Sequence, residues 1–206
     1  MKRFLIFITV VLFGNIAAWA QFSINVGYIH ETMHLSEPVW MYGEKNVGMW
    51  SMYAEAEYNL RLPSQWGVAL GARIYVPTTV PISNWGKEGY ADYDEKDMVF
   101  PLRVSYTFPE LLWGWDVSVV AGGLVRYTYG YANYSEDATP LTIHFLDEDN
   151  AYAIKGLTLM PLVGVRVGKR HWQGRVEYMP WSLDRSLHGN YTNHVSGLTV
   201  GVGYVF

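Results

Sequence analysis

The chain closes on Leu198-Thr199-Val200-Gly201-Val202-Gly203-Tyr204-Val205-Phe206. Its even positions, Leu198, Val200, Val202, Tyr204 and Phe206, are large and apolar. The odd positions Thr199, Gly201 and Gly203 are small, with Val205 the exception. Side chains alternate across a strand, so this stretch offers one oily face and one nearly bare face. The same two-residue period recurs upstream, which predicts an all-β fold.

Seven earlier segments repeat the pattern. Phe22, Ile24, Val26 and Tyr28 alternate with Ser23, Asn25 and Gly27. Trp50, Met52, Ala54, Ala56, Tyr58 and Leu60 oppose Ser51, Tyr53, Glu55, Glu57 and Asn59. Trp66 to Val76 and Met98 to Phe108 form the third and fourth, and Trp115 to Tyr127 the fifth. Leu157 to Val167 and Trp172 to Tyr178 complete the set. Long connections, near 31–48, 77–97, 130–151 and 183–194, alternate with short turns near 62–65, 109–114 and 168–171. Pro161 falls mid-strand, where it cannot donate a ladder bond, and predicts a local bulge.

Residues 1–20 read as a cleaved signal peptide, leaving 21–206 as one domain. Lys2 and Arg3 form its basic start, Phe4 to Phe13 its apolar stretch, and Ala18-Trp19-Ala20 its cleavage site. Losing Lys2 and Arg3 takes the 15 bases to 13 against 19 acids, a net charge of -6. That balance argues against nucleic acid as a partner. There is no cysteine, so there is neither a disulfide framework nor a thiolate metal site. Beyond the leader, no apolar run approaches the roughly 20 residues of a membrane helix. Any crossing must be made by strands.

Alternation also suits a soluble sandwich, but three observations favour a bilayer. The strand charges Glu55, Glu57, Arg73, Arg103, Asp116, Arg126, Arg166, Arg175 and Glu177 all take the polar parity. A charge facing lipid costs about 2–4 kcal/mol near the midplane, so this segregation is expected there. The polar parity is rich in glycine, as a narrow lumen filled by side chains requires. Aromatics gather at strand ends: Phe22, Trp66, Phe108, Trp113, Trp115, Trp172 and Phe206 by the short turns, Trp50, Tyr127, Tyr129 and Trp181 by the long loops. Two such girdles mark the two interfaces. The expected fold is an eight-stranded antiparallel up-and-down transmembrane β-barrel.

In this architecture, and in Leu198, Val200, Val202, Tyr204 and Phe206 as a closing assembly signal, the chain resembles small bacterial outer-membrane barrels. These are of the OmpA transmembrane-domain, OmpX and OmpW-like kind. The resemblance implies an outer-membrane location, with the outer-membrane assembly machinery, membrane lipid and lipopolysaccharide as partners. It implies little about activity, because such barrels serve as structural elements, adhesins or occasionally lipid-modifying enzymes.

The lumen charges read as a buried ion-pair network, with Glu55 opposite Arg73 if the turn at 63–65 sets the register. Read functionally, they are the filter of a narrow ion channel. Fourteen acids are assigned to the loops: Glu31, Glu37, Glu44, Glu88, Asp92, Asp94, Glu95, Asp97, Glu136, Asp137, Asp147, Glu148, Asp149 and Asp184. The run Asp92 to Asp97 offers hard oxygens but lacks the EF-hand's central Gly and distal Glu, so no metal site is assigned. His194 and Ser196 stand two apart where the last strand emerges from lipid. Lipid A deacylases of the PagL kind use a His-x-Ser pair so placed, with the imidazole as base for the hydroxyl. The Asn that follows the Ser in that family is absent here, and the sequence identifies no acid partner. The expectation is a plugged, non-catalytic envelope structural or surface-interaction protein working through its loops on an unknown extracellular ligand, without a cofactor. The alternatives are a lipid A acyl hydrolase using His194 and Ser196, and a narrow channel.

Overall fold

A computed structural model describes residues 20–36, 45–76, 80–82, 91–134, 140–141, 154–187, 189 and 191–206. The expected leader lies outside these residues except for Ala20, the first residue of the first strand. Ten strands follow in order: β1 (Ala20–Leu35), β2 (Asn46–Arg61), β3 (Trp66–Tyr75), β4 (Val80–Ile82), β5 (Ala91–Leu112), β6 (Trp115–Tyr134), β7 (Pro140–Leu141), β8 (Leu157–Lys169), β9 (Trp172–Met179) and β10 (Asn193–Val205). Eight of them form the wall in the cyclic order β1-β2-β3-β5-β6-β8-β9-β10, every neighbour antiparallel. The ring closes where β10 returns to β1, in a register running from Ser23↔Val205 to Leu35↔Asn193. Closure leaves no edge, so every wall strand finds backbone partners on both sides, as lipid demands. The short β4 and β7 pair with the loop-end portions of β5 and β6.

The turns are tight where the chain accepts left-handed backbone. Ser64 (φ 62) and Gln65 (φ 70) turn β2 into β3, and Arg170 (φ 56) turns β8 into β9. Between β5 and β6 the turn is only Trp113 (φ 51) and Gly114 (φ 76). Two positive φ values suit the two-residue hairpin loop, whose twist matches that of its strands. The broader turn expected over 109–114 is corrected accordingly: β5 runs on to Leu112 through an irregularity between Phe108 and Leu112.

The outward faces are apolar. Ile24, Val26, Leu70, Leu102, Val119, Val163, Val200 and Val202 are all exposed. At the turn end the aromatics touch in sequence: Trp172 lies against Tyr204 (5.4 Å), Tyr204 against Phe206 (5.2 Å) and Phe206 against Phe22 (5.9 Å). Trp66, Tyr106 and Phe108 make a second such run. Trp50, Tyr127 and Trp181 are exposed at the loop end. The side chain of Tyr129 lies outside the described residues.

The wall is taller than the alternation predicts. β1 continues to Leu35, β2 begins at Asn46, β5 at Ala91, and β6 ends at Tyr134. The segments 31–35, 46–48, 91–97 and 130–134 are therefore strand, not loop. In the added rungs the polarity inverts. Ile29, Met33, Leu35, Met49 and Val195 are buried inward, while His34, Asn46 and Gly48 are exposed outward. These inward groups join Val99, Leu124, Ile154, Met160, Leu162, Met179 and Tyr191 in one apolar cluster, which Tyr53 and Val120 continue toward the middle of the barrel. A strand that leaves lipid for water needs this reversal, since only the interior is then dry.

Pro161 makes no bulge. Its register opposite Gly123 on β6 is continuous with the flanking pairs. On the other side the β8–β9 ladder ends at Val163↔Tyr178. Beyond that point the Leu159 carbonyl accepts from Leu183 N–H (2.9 Å), so the odd residues here turn their backbone polar groups toward the segment after β9. Pro161 thus lacks its donor on the side where the regular ladder has already stopped.

Candidate functional site

The middle of the lumen is ionic. Glu55 on β2 and Arg73 on β3 are cross-strand partners with Arg73 Nε donating to Glu55 at 2.7 Å. Arg103 on β5 is the hub. It meets Glu55 at 2.9 Å, Glu57 at 2.7 Å and Glu177 at 2.6 Å. Arg175 reaches Glu55 (2.8 Å) and Glu57 (3.4 Å), and Arg166 reaches Glu57 (3.0 Å). Each of the three carboxylates therefore meets at least two guanidiniums. Such multiplicity is what offsets the desolvation of buried charge. Tyr53 lies across this layer, with Arg73 4.4 Å and Arg175 5.5 Å from its ring centroid. Glycine makes the space: a Cβ at Gly27 would come within 2.9 Å of the Tyr53 ring, and one at Gly201 would strike its hydroxyl.

A second, smaller network lies toward the loop end. Arg126 on β6 pairs with Glu31 (2.9 Å) and with Asp97, and Asp97 also accepts from the Thr128 hydroxyl. Glu31 and Asp97 are thus lumen groups rather than the loop acids assigned above. Asp97 is committed inward on a strand, while the side chains of 92–96 lie outside the described residues. The two networks together set five carboxylates (Glu31, Glu55, Glu57, Asp97, Glu177) against five arginines (Arg73, Arg103, Arg126, Arg166, Arg175). Asp116 belongs to neither. It sits at the turn end, where its carboxylate accepts from Glu110 N–H at 2.9 Å.

Below the ionic layer, at the turn end, a cavity of about 290 Å³ opens; Asn59, Arg61, Ser105, Thr107, Arg166 and Gln173 are among its lining residues. Its floor is Arg166, bonded to Asn59 (3.0 Å) and Glu57.

The other polar constellation is on the outside, at the loop end of β2, β1 and β10. Outward residues on these strands are apolar up to Met52, Tyr28 and Leu198. The next rungs carry Trp50, His30, Thr32, His34, Asn46, Ser196 and His194. Register explains what meets what. His34 lies directly opposite Asn46 on β2, and diagonally from Ser196 on β10, whose own cross-strand partner is Thr32. A diagonal neighbour is within reach of a long side chain. Accordingly His34 Nδ1 is 2.8 Å from Asn46 Oδ1, and His34 Nε2 is 2.9 Å from Ser196 Oγ. The amide oxygen can only accept, so Nδ1 carries the proton and Nε2 is free to accept from the serine hydroxyl.

The alternative that paired His194 with Ser196 is not the contact the structure makes. Within β10 the two are neighbours on one face, but the His194 ring bonds to the Ser182 carbonyl (Nδ1 to O, 2.9 Å). Ser196 is engaged by His34 instead. The sequence hid His34 because it fell in a segment read as loop. The signal that could have found it is the alternation itself, which continues through Ile29, Glu31, Met33 and Leu35 with its polarity reversed.

Neither a protein-family profile nor a curated protein matches the sequence. Solved structures do match the fold. The chain is similar to neisserial surface protein A at 12% identity and a TM-score of 0.56, over 91% of this chain and 99% of that one. It also matches Ail, the attachment invasion locus protein of Yersinia pestis, at 12% identity and a TM-score of 0.46 over the same shares. The outer-membrane protease OmpT of Escherichia coli aligns at 11% identity and a TM-score of 0.41, over 91% of this chain and 96% of that one. The closed eight-stranded wall and its apolar exterior define the class: a small transmembrane β-barrel of the outer-membrane kind.

Proposed function

We propose that the protein is a closed outer-membrane scaffold that passes no solute through its lumen and acts at its loop end, as an envelope structural or surface-interaction protein. The observation that carries this reading is the stacking of barriers. An apolar cluster, with the paired Arg126, Glu31 and Asp97 set in it, packs the lumen toward the loop end, and a larger ion-pair layer lies across the middle. Water and ions entering the turn-end cavity meet both in succession. The channel reading would need a wet path past Arg103 and Tyr53, whose side chains are almost wholly buried. The partners this reading implies are the lipid around the belt, lipopolysaccharide at the loop end and a ligand of the loops. The assembly machinery would meet the Leu198–Phe206 face of β10 during insertion.

The test is electrical. Purified barrel inserted in planar bilayers is expected to give a quiet baseline under applied voltage, with no discrete steps. Steps that recur in every preparation and change size in Glu55→Ala or Arg73→Ala would favour the channel instead.

A further inference from the structure

We infer that Ser196, His34 and Asn46 form a nucleophile–base–orienter set that hydrolyses carboxylic esters of lipids at the loop-end membrane boundary. The inference deepens the reading above, because it gives the loop end of a closed scaffold a chemical task.

Geometry comes first. A general base must lie within hydrogen-bond reach of the proton it removes, and here Ser196 Oγ and His34 Nε2 are 2.9 Å apart. The base must also be held in the right tautomer. Asn46 Oδ1, 2.8 Å from Nδ1, accepts that ring proton and leaves Nε2 bare toward the serine. Three different strands supply the three groups, and a continuous ladder fixes their register on both sides of β1. These are rigid supports, which is what a catalytic constellation requires.

Position then names the substrate. Ser196 is the first outward residue of β10 beyond Leu198, the last of its apolar run, and so lies about 7 Å further along the strand. On β2 exposed Trp50 stands level with Leu198, through His30, one rung short of Ser196, and its ring lies 4.1 Å from that of His30. Indoles settle at the boundary between acyl chains and headgroups. The carbonyls of lipid esters lie at that boundary too, with water available from the outer side. His34 and Ser196 are accessible from outside the wall, so a lipid reaches them laterally and never enters the lumen.

The steps balance. Ser196 Oγ attacks the ester carbonyl carbon while its proton passes to His34 Nε2. The carbon–oxygen bond to the alcohol breaks, and His34 returns the proton to the departing alkoxide. Water then attacks the acyl carbon while its proton passes to the same nitrogen; the bond from that carbon to Ser196 Oγ breaks, His34 returns the proton to Oγ, and the fatty acid leaves. Thr32, directly opposite Ser196 on the same face, is the hydroxyl that register offers to the transient oxyanion.

Two measurements test this on the folded full-length barrel. The first reads free fatty acid released from vesicles of diacyl phosphatidylethanolamine, with and without lipid A. The second reads covalent labelling by a fluorophosphonate, located by peptide mass spectrometry. Label on Ser196 and release that falls about 10³-fold or more in Ser196→Ala and in His34→Ala are expected. His194→Ala, which removes the bond to the Ser182 carbonyl and a ring directly opposite His34 but no bond to Ser196, should retain most of the activity. As a positioning residue, Asn46 should act on kcat more than KM: Asn46→Ala slows turnover and Asn46→Asp restores it. The inference is overturned if the folded barrel releases no fatty acid and Ser196 takes no label, or if release survives Ser196→Ala. Conductance recorded on the same preparations separates the two ideas, since a leaking lumen would sink the scaffold reading and leave the ester chemistry standing.

Discussion

Arg103 holds three carboxylates at once, and no other side chain among the described residues has that position. Its guanidinium donates to Glu55, Glu57 and Glu177 through three different nitrogens. Burying these groups is expensive, and the expense is offset only while the set is complete. Truncation therefore leaves carboxylates with too few partners in a site that water cannot easily reach. Arg103→Ala is expected to lower stability by about 3–5 kcal/mol. Urea unfolding of the barrel in lipid vesicles checks it, and a loss under about 1 kcal/mol would show that the remaining arginines suffice. Tyr53 depends on its surroundings in a different way. It lies flat only because β1 and β10 offer Gly27 and Gly201 where any Cβ would collide with it or with the neighbouring backbone. The glycines on the polar parity were legible in the sequence as space. Which side chain fills that space was not, since no pattern within β1 or β10 points at β2.

Among the elements, the segment after β9 departs most from regular strand. Residues 180–187 carry little ladder, yet they complete the wall between β8 and β10. Leu183 N–H donates to Leu159 O, Lys155 N–H to Arg185 O, and Arg185 N–H to Asn193 O. Asp184 ties the segment together, accepting from Ser186 N–H (3.1 Å), the Ser186 hydroxyl (3.0 Å) and Asn193 N–H (2.9 Å). Slight burial pushes its pKa up, but the bonds from Asn193 and Ser186 outweigh this and hold it below the ordinary carboxylate value. A carboxyl depressed in the folded state adds stability above its unfolded pKa and loses it as pH falls through the folded one. The clamp is thus complete at neutral pH and is expected to loosen only below about pH 4. In micelles, the Ser186 and Asn193 amide resonances should shift together with one midpoint under that value. A midpoint above it, or independent shifts, would remove Asp184 from this role. The sequence placed Asp184 among solvated loop acids, because a residue two positions beyond the Trp181-Ser182 pair in an irregular stretch shows no period. β1 and β2 failed to be read in full for the opposite reason. Their period was present, but its polarity changed sign at His30 and Trp50, and a rule that expects oil outward stops there.

The whole molecule is one wall in two solvents. Through the bilayer its outward residues are apolar and its inward ones ionic; past the loop-end girdle the outward residues become polar and the inward ones mainly apolar, with Glu31 and Asp97, both paired to Arg126, set among them. The first half could be read from sequence because each strand repeats the same sign. The second could not, and with it went Glu31, Asp97, His34 and Asn46, all of which lie beyond the inversion or at its edge. The inversion also determines how the lumen is sealed. An ionic layer by itself is a poor barrier, since water competes for its charges once a gap appears. An apolar plug by itself excludes ions by denying them solvation. The two in series predict an asymmetric result from mutation. Tyr53→Ala opens a gap in the ionic layer and takes one member from the apolar cluster, but leaves Ile29, Met33, Met160, Met179 and Val195 in place, so planar bilayers should stay silent. Adding Met33→Ala and Met179→Ala to it removes bulk from both layers, and discrete current steps should then appear. Current through Tyr53→Ala alone would mean that the apolar cluster is no seal, and the argument for a closed scaffold would have to rest on the ion pairs only.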